Sequence, residues 1–254
     1  MFDFKDNVVV VTGASRGIGR TIAERFYEAG ASVAICSRKQ ADIEQALLEM
    51  GKEDPTRVYG RAADSSSVES MTAFLQSVVD RYGRIDILVN NAGVQFPQPS
   101  VEVSEKDWDA TLDTNLKGCF FNSQFAAKDM MKRNAPGSII NIGSVNAITV
   151  VVGQAVYAST KAGISQMTKS LGREWGKAGI RVNCIAPGSI PTSINAAIYA
   201  DREVERAMEE KIPMGRRGKT NEVADATLYM ASQYASYITG QTLFVDGGLT
   251  LVHG

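Results

Sequence analysis

Short runs of β-branched and apolar residues recur along the chain with helical patterns between them. They are continuous rather than alternating, and they restrict the fold more than any other feature. They read Val8-Val9-Val10-Val11, Ser32-Val33-Ala34-Ile35, Ile85-Asp86-Ile87-Leu88-Val89, Ser138-Ile139-Ile140-Asn141-Ile142, Arg181-Val182-Asn183-Cys184-Ile185 and Gln241-Thr242-Leu243-Phe244-Val245, with Arg57-Val58-Tyr59-Gly60 a weaker seventh. Parallel strands covered on both faces require such runs. The stretches between them, such as 17–29, 67–82, 155–177 and 221–232, have helical spacing. Repeated strand-helix order predicts a doubly wound α/β sheet. No Pro/Gly/Ser-rich linker or charge block divides the sequence, so one domain over 1–254 is expected. The least regular part, about 188–218, carries Pro191 and Pro213 and encloses an amphipathic piece at 201–211. An interruption of that length predicts a substrate lid or binding loop.

Composition removes several functions. With 27 basic and 28 acidic residues and a net charge of −1, the chain has no field to attract nucleic acid or an anionic membrane. No apolar run approaches the ~20 residues of a membrane span. The N-terminus lacks a basic region followed by an apolar core, so a cytoplasmic location is the expectation. Cys36, Cys119 and Cys184 are far apart and unpaired in number, which indicates core residues rather than a disulfide or metal site. The one histidine, His253, is penultimate. Histidine-based hydrolysis and multi-histidine metal centres are therefore excluded, and acid-base work falls to other groups.

Tyr157 and Lys161 can fill that role. Four residues apart on a helix, they lie on one face, and a cation beside a phenol favours the phenolate. A hydroxyl such as Ser144 could hold a substrate oxygen beside them. Taken alone, the pair also fits a lysine lying over a surface ring. Upstream, Thr12-Gly13-Ala14-Ser15-Arg16-Gly17-Ile18-Gly19 follows the first strand and opens the first helix. Glycines permit a tight turn and close backbone approach, and the helix N-terminus offers unpaired N–H groups to a pyrophosphate. The spacing Gly-x-x-x-Gly-x-Gly differs from the commonest dinucleotide fingerprint and lacks the Lys-Ser/Thr ending of a P-loop.

Thr12 to Gly19, Asn90-Asn91-Ala92-Gly93 after the fourth strand, Asn115, Ser144, Tyr157-x-x-x-Lys161 and Pro187-Gly188 together resemble the ordered motifs of the short-chain dehydrogenase/reductase family. The match spans nearly the whole chain. It implies a seven-stranded Rossmann sheet and a nicotinamide cofactor held by Gly13, Ser15, Arg16, Gly17, Ile18, Gly19, Ser37, Arg38, Asp64, Asn91, Ala92, Gly93, Tyr157, Lys161, Pro187, Gly188, Ile190 and Thr192. A helix N-cap is an equally good account of Asp64. The resemblance also implies the catalytic roles. Ser144 would hydrogen-bond the reacting oxygen, Tyr157 would be the general acid or base, Lys161 would favour the phenolate and hold the nicotinamide ribose, and Asn115 would complete a proton relay through water. Family members are commonly homotetramers, with the helices holding Asn115 and Tyr157 and the C-terminal strand region at the interfaces.

Charge at the end of the second strand selects the cofactor. An Asp or Glu there binds the ribose 2′-hydroxyl of NAD, whereas an Arg accommodates a 2′-phosphate. This chain has Ser37-Arg38-Lys39, with no carboxylate between Ser32 and Ala41 and with Arg16 in the glycine loop, which predicts NADP(H).

The resemblance places the substrate pocket at 94–99, 145–156 and 189–214. Gln95, Asn146 and Gln154 are its polar groups, and Phe96, Ile148, Val150, Val151, Val152, Ile190, Ile194, Tyr199 and Met214 are its apolar ones. Such a lining suits a carbonyl or alcohol substrate of some bulk. The stretches after Pro187 and Ile212-Pro213-Met214-Gly215 also resemble bacterial glucose 1-dehydrogenases, which tend to place an acidic residue near Gln95 and more polar residues after Ser144-Val145. A 3-oxoacyl-carrier-protein reductase is the third enzymatic reading, with Arg216, Arg217 and Lys219 as a basic rim for an acidic partner. A non-catalytic nucleotide-binding regulator stands beside them, and would have little reason to keep Asn115, Ser144, Tyr157 and Lys161 together.

Overall fold

A computed structural model describes residues 2–192 and 200–251. Seven parallel strands run β1 Val8–Thr12, β2 Ser32–Ser37, β3 Val58–Ala62, β4 Ile87–Asn90, β5 Gly137–Ile142, β6 Ile180–Pro187 and β7 Thr242–Val245, in the spatial order β3-β2-β1-β4-β5-β6-β7. The connecting helices are α1 Gly17–Glu28, α2 Gln40–Met50, α3 Val68–Tyr82, α4 Glu105–Leu112, α5 Gly118–Lys132, α6 Ala155–Trp175, α7 Arg202–Glu209 and α8 Thr220–Ala231.

The unbroken apolar runs follow from a core on each face of the sheet. Side chains alternate across a strand, so Val9 and Val11 join Ile22, Phe26 and Ile35 on one face, while Val8 and Val10 join Phe74, Leu88 and Ile139 on the other. Each such side chain contributes about 1.5–3 kcal/mol when fully buried. Register is set by pairs such as Val9 with Val33 of β2 and with Ile87 of β4. β4 starts later than the sequence suggests. The Asp86 carboxylate accepts the Val8 N–H at 2.9 Å, taking a bond that a continuing ladder would have made.

β1 lies between β2 and β4, so the chain reverses its direction of winding there and opens a crevice at the carboxyl ends of those strands. Between α4 and α5 the helix carries one π-helical turn, Asp113–Lys117, a feature often found at functional sites. Of the irregular stretch at 188–218, residues 193–199 lie outside the described residues. Its described part contains α7, whose N-cap Asp201 accepts the Glu203 N–H.

Candidate active site

The glycine-rich turn leaves β1 with Gly13 at φ +63° and Gly17 at φ +60°, in the left-handed region that glycine occupies without penalty. A Cβ on Gly13 would stand 2.8 Å from the Ala92 Cα, so the close approach itself requires glycine. Thr12 clips the two loops together. Its Oγ1 accepts the N–H groups of Asn91 and Ala92, both at 3.0 Å, and the Asn91 amide donates to the Thr12 and Gly13 carbonyls at 2.9 and 3.0 Å. At the start of α1 the N-cap Arg16 makes no side-chain capping bond, so the helix end keeps donors for an anion.

The residues around this turn fit a phosphorylated dinucleotide. Arg16 and Arg38 are exposed, and neither side chain has a hydrogen-bond or ion-pair partner among the described residues. Ser37 closes β2, with its hydroxyl 3.4 Å from the Lys39 carbonyl. Asp64 lies two residues past β3. It does not cap α3: its carboxylate accepts from the Ser66 N–H and hydroxyl, and Ser67 is the N-cap, because the chain needs a turn before the helix can start. Gly188, Ser189 and Ile190 continue from β6. The Ile190 side chain is buried in the core under α1 and α8, while Thr192 approaches within 3.8 Å of a Cβ built on Gly17. Ile18 packs against that same core.

On the other side of the crevice α6 carries Tyr157 and Lys161. Lys161 is 4% exposed, and its Nζ lies 5.5 Å from the Tyr157 ring centre and donates to the Ile142 carbonyl at 2.8 Å. An ammonium has three donors, so two remain for a ligand. The Tyr157 hydroxyl has no hydrogen bond to any described residue. Ser144 follows β5 and accepts the Asn146 N–H at 3.1 Å, which leaves its own proton free to donate. The Asn146 amide in turn donates to Gln154, the N-cap of α6. The Lys161–Ile142 bond and this clasp bring the Ser144 loop against the first turns of α6. Burial pushes the Cys119 thiol up to about 12, against the opposing pull of the Lys161 cation. Cys36 is likewise buried and pushed up to about 12, and burial raises Cys184.

Asn115 sits in the π-helical turn and is 1% exposed. Its Oδ1 accepts the Val94 N–H at 2.8 Å, and its Nδ2 donates to the Val94 carbonyl at 3.0 Å and the Thr160 hydroxyl at 3.2 Å. Gly93 lies against it, since a Cβ there would stand 3.3 Å from Asn115 Oδ1 and 3.9 Å from Lys161 Nζ.

The substrate side is only partly assembled from the expected residues. A narrow recess of about 10 Å³ beside Tyr157 is lined by Phe96, Gln98, Gln154 and Val156, with room for about one water. Gln95 is half-buried, and Phe96 and Val151 are each 44% exposed. Val150 and Val152 stand in solvent at 93% and 95% exposure and do not line an enclosed pocket, because the loop before α6 turns them outward. Ile190 and Met214 instead line a cleft of about 520 Å³ at the end of β7, away from Tyr157. Ile194 and Tyr199 lie outside the described residues. Two of the three cations of the basic rim are paired: Arg216 with Glu222 at 2.6 Å, and the buried Arg217 with Glu205 at 3.1 Å, while Lys219 is exposed. Both carboxylates lie on helices whose approach no local pattern reveals.

Two residues that the sequence did not single out hold the site together. Thr12 was visible only as the first letter of the glycine motif, and Thr160 only as one of the three residues between the tyrosine and the lysine. The i, i+3 spacing of Thr160 from Tyr157 could have marked it as facing inward. Among the described residues no cluster of metal-ligating side chains occurs, and no helix is long and apolar enough to cross a membrane.

A nucleotide cradle at the switch point of a doubly wound sheet, facing a free phenol beside a buried ammonium, is the layout of a Rossmann oxidoreductase. A family model described as enoyl-(acyl carrier protein) reductase matches residues 13–250. 3β-Hydroxysteroid dehydrogenase 1 of Eggerthella lenta is 40% identical over 252 residues, 99% of this chain and 97% of its own. The 3-oxoacyl-[acyl-carrier-protein] reductase of Vibrio harveyi is 40% identical over 253 residues, 98% of this chain and 100% of its own. The structure of a gluconate 5-dehydrogenase from Burkholderia cenocepacia in complex with NADP and tartrate superposes with a TM-score of 0.93 at 34% identity, covering 99% of this chain and 98% of that one. The chain belongs to the short-chain dehydrogenase/reductase family, whose cofactor is a nicotinamide dinucleotide.

Proposed function

We propose that the chain is an NADP(H)-dependent oxidoreductase acting on a carbonyl or secondary alcohol borne on a bulky apolar skeleton. The observation that carries the proposal is the Tyr157 hydroxyl, which has no hydrogen-bond partner among the described residues yet stands on the same helical face as the buried Lys161 ammonium. Bound NADP(H) supplies or accepts the hydride. The turn from Gly13 to Gly19 and the start of α1 would hold its pyrophosphate, Arg16 and Arg38 its 2′-phosphate, and the two spare Lys161 donors its ribose. Asn91, Ala92 and Gly93 form the floor opposite, and Pro187, Gly188, Ile190 and Thr192 the wall.

During reduction the Ser144 hydroxyl donates a hydrogen bond to the substrate oxygen, and Tyr157 passes its proton to that atom. Oxidation runs the same proton in reverse. Lys161 stands beside the ring that becomes negative when the proton leaves. Exposed Phe96, Ile148 and Val151 give a substrate an apolar contact outside the filled recess, which favours a bulky ketone over a polyol. A sugar substrate would need more than Gln95, Asn146 and Gln154 offer, since the last two already bond each other. Outward apolar residues Trp108 and Phe121 on α4 and α5, with Leu243 on the edge strand β7, support a homotetramer.

The test is Tyr157→Phe, assayed by NADPH oxidation with activated ketones, 3-oxoesters and glucose. Turnover should fall about 100- to 10,000-fold while NADPH affinity barely changes. A variant that keeps its activity would refute the assignment, and glucose as the best substrate would reverse the choice of substrate class.

A further inference from the structure

We propose that Thr160 is a positioning residue: its hydroxyl fixes the orientation of the Asn115 amide and thereby places the loop from Gly93 to Phe96 against Tyr157. The inference rests on the reading of Tyr157 as the proton-transfer group. Thr160 is 1% exposed and sits in the turn of α6 between Tyr157 and Lys161. A hydroxyl has one proton to give, and Thr160 gives it to the Tyr157 carbonyl at 2.7 Å. Toward Asn115 it can then only accept. That requirement turns the Nδ2 of Asn115 to Thr160 and leaves Oδ1 for the Val94 N–H. With its second N–H on the Val94 carbonyl, the amide holds both backbone groups of the residue that opens the substrate-side loop.

The reversed amide would set oxygen against the Val94 carbonyl and the Thr160 lone pairs, and nitrogen against the Val94 N–H. Three bonds would be lost around an amide that is 1% exposed. Because Asn115 Oδ1 lies close to where a Gly93 Cβ would stand, and that point is 3.9 Å from Lys161 Nζ, a shift of the amide moves the cofactor floor beside the lysine. One hydroxyl thus joins α6, the π-helical turn and the loop after β4. It touches neither substrate nor cofactor, and it acts through Asn115.

Thr160→Val keeps the shape of the side chain and removes the hydroxyl, whereas Thr160→Ser keeps the hydroxyl. With NADPH and the panel substrate that the wild type turns over fastest, the valine variant should lose about 10- to 100-fold in kcat while NADPH affinity, read by fluorescence, stays within about twofold. The serine variant should return to within about threefold of wild type. Added to Asn115→Ala, Thr160→Val should cost little more, since both remove the same orientation. A valine variant with wild-type kcat would overturn the proposal, as would a serine variant as poor as valine, or losses that simply add. If the valine protein does not fold, Thr160→Ala is read by the same outcomes. An inactive Tyr157→Phe beside a fully active Thr160→Val would sink this inference alone, whereas an active Tyr157→Phe would sink the site assignment beneath it.

Discussion

Lys161 shows how much a single side chain can be asked to do. A buried ammonium is tolerated only when hydrogen-bonded, and among the described residues the oxygen that accepts from it is the Ile142 carbonyl at the end of β5. Its remaining donors would be satisfied most directly by a hydroxylated ligand, so we propose that the residue flanking the phenol also recognises the cofactor. Arg38 is the converse case, an exposed cation with no partner among the described residues, free to meet a phosphate dianion. Arg38→Asp should weaken NADPH binding by at least about tenfold while leaving NADH binding unchanged or improved, as measured by fluorescence titration of both cofactors. An equal effect on the two would remove the 2′-phosphate from the account. Arg38 could be named as a candidate from the sequence because its charge and its place after β2 are both visible there. Thr12 and Thr160 were not, because their importance lies in which carbonyls and amides surround them.

At the scale of elements, the site depends on how helices are started, interrupted and tied down. The Asn146–Gln154 clasp begins α6 at the Ser144 loop, and the π-helical turn admits Asn115 into the chain of bonds that reaches Thr160. Neither could be read from spacing, since a regular heptad pattern gives no sign of one extra residue in a turn. Further along, Arg216 bonds Glu222 at the start of α8 and fastens the end of the 188–218 stretch to that helix. The hydrogen bond from Arg216, followed by the Lys219 N–H, holds the Glu222 carboxyl at about 2. A depressed carboxyl stabilises the fold fully above its ordinary value of ~4.3 and loses that contribution as pH falls through the folded value. Glu222→Gln should therefore lower Tm by about 1–3 °C at neutral pH, a small figure because the pair is partly exposed. The gap should narrow below about pH 4 and close near pH 2; a difference independent of pH would point to packing instead. The sequence showed these arginines as a basic rim, because it does not show how the chain turns to bring Glu222, six residues on, and Glu205, twelve residues back, against them.

For the whole molecule, the seven runs first read as strands are the seven strands of the sheet, and the inner ones were legible because strands covered on both faces favour apolar residues on both. The β4 run was read two residues too early, from Ile85, because the Asp86 side chain takes the place of a backbone partner for Val8. Less was legible at the substrate side, where loops carry the specificity and exposure depends on how each one turns. Light scattering on the purified protein should give four times the chain mass, with Trp108→Glu or Leu243→Glu lowering it. A wild-type monomer would show that these apolar residues serve another purpose.

The strand order carries one more consequence, for biosynthesis. Starting from β1, every later strand joins an outer edge of what has already been made, first β2 and β3 on one side and then β4 through β7 on the other. No strand has to insert between two finished neighbours. A chain leaving the ribosome can therefore extend its sheet in the order in which it is translated. By the time Gly93 emerges, the glycine turn, the Thr12 clip and Asn91 are all present, well before Tyr157 has been added.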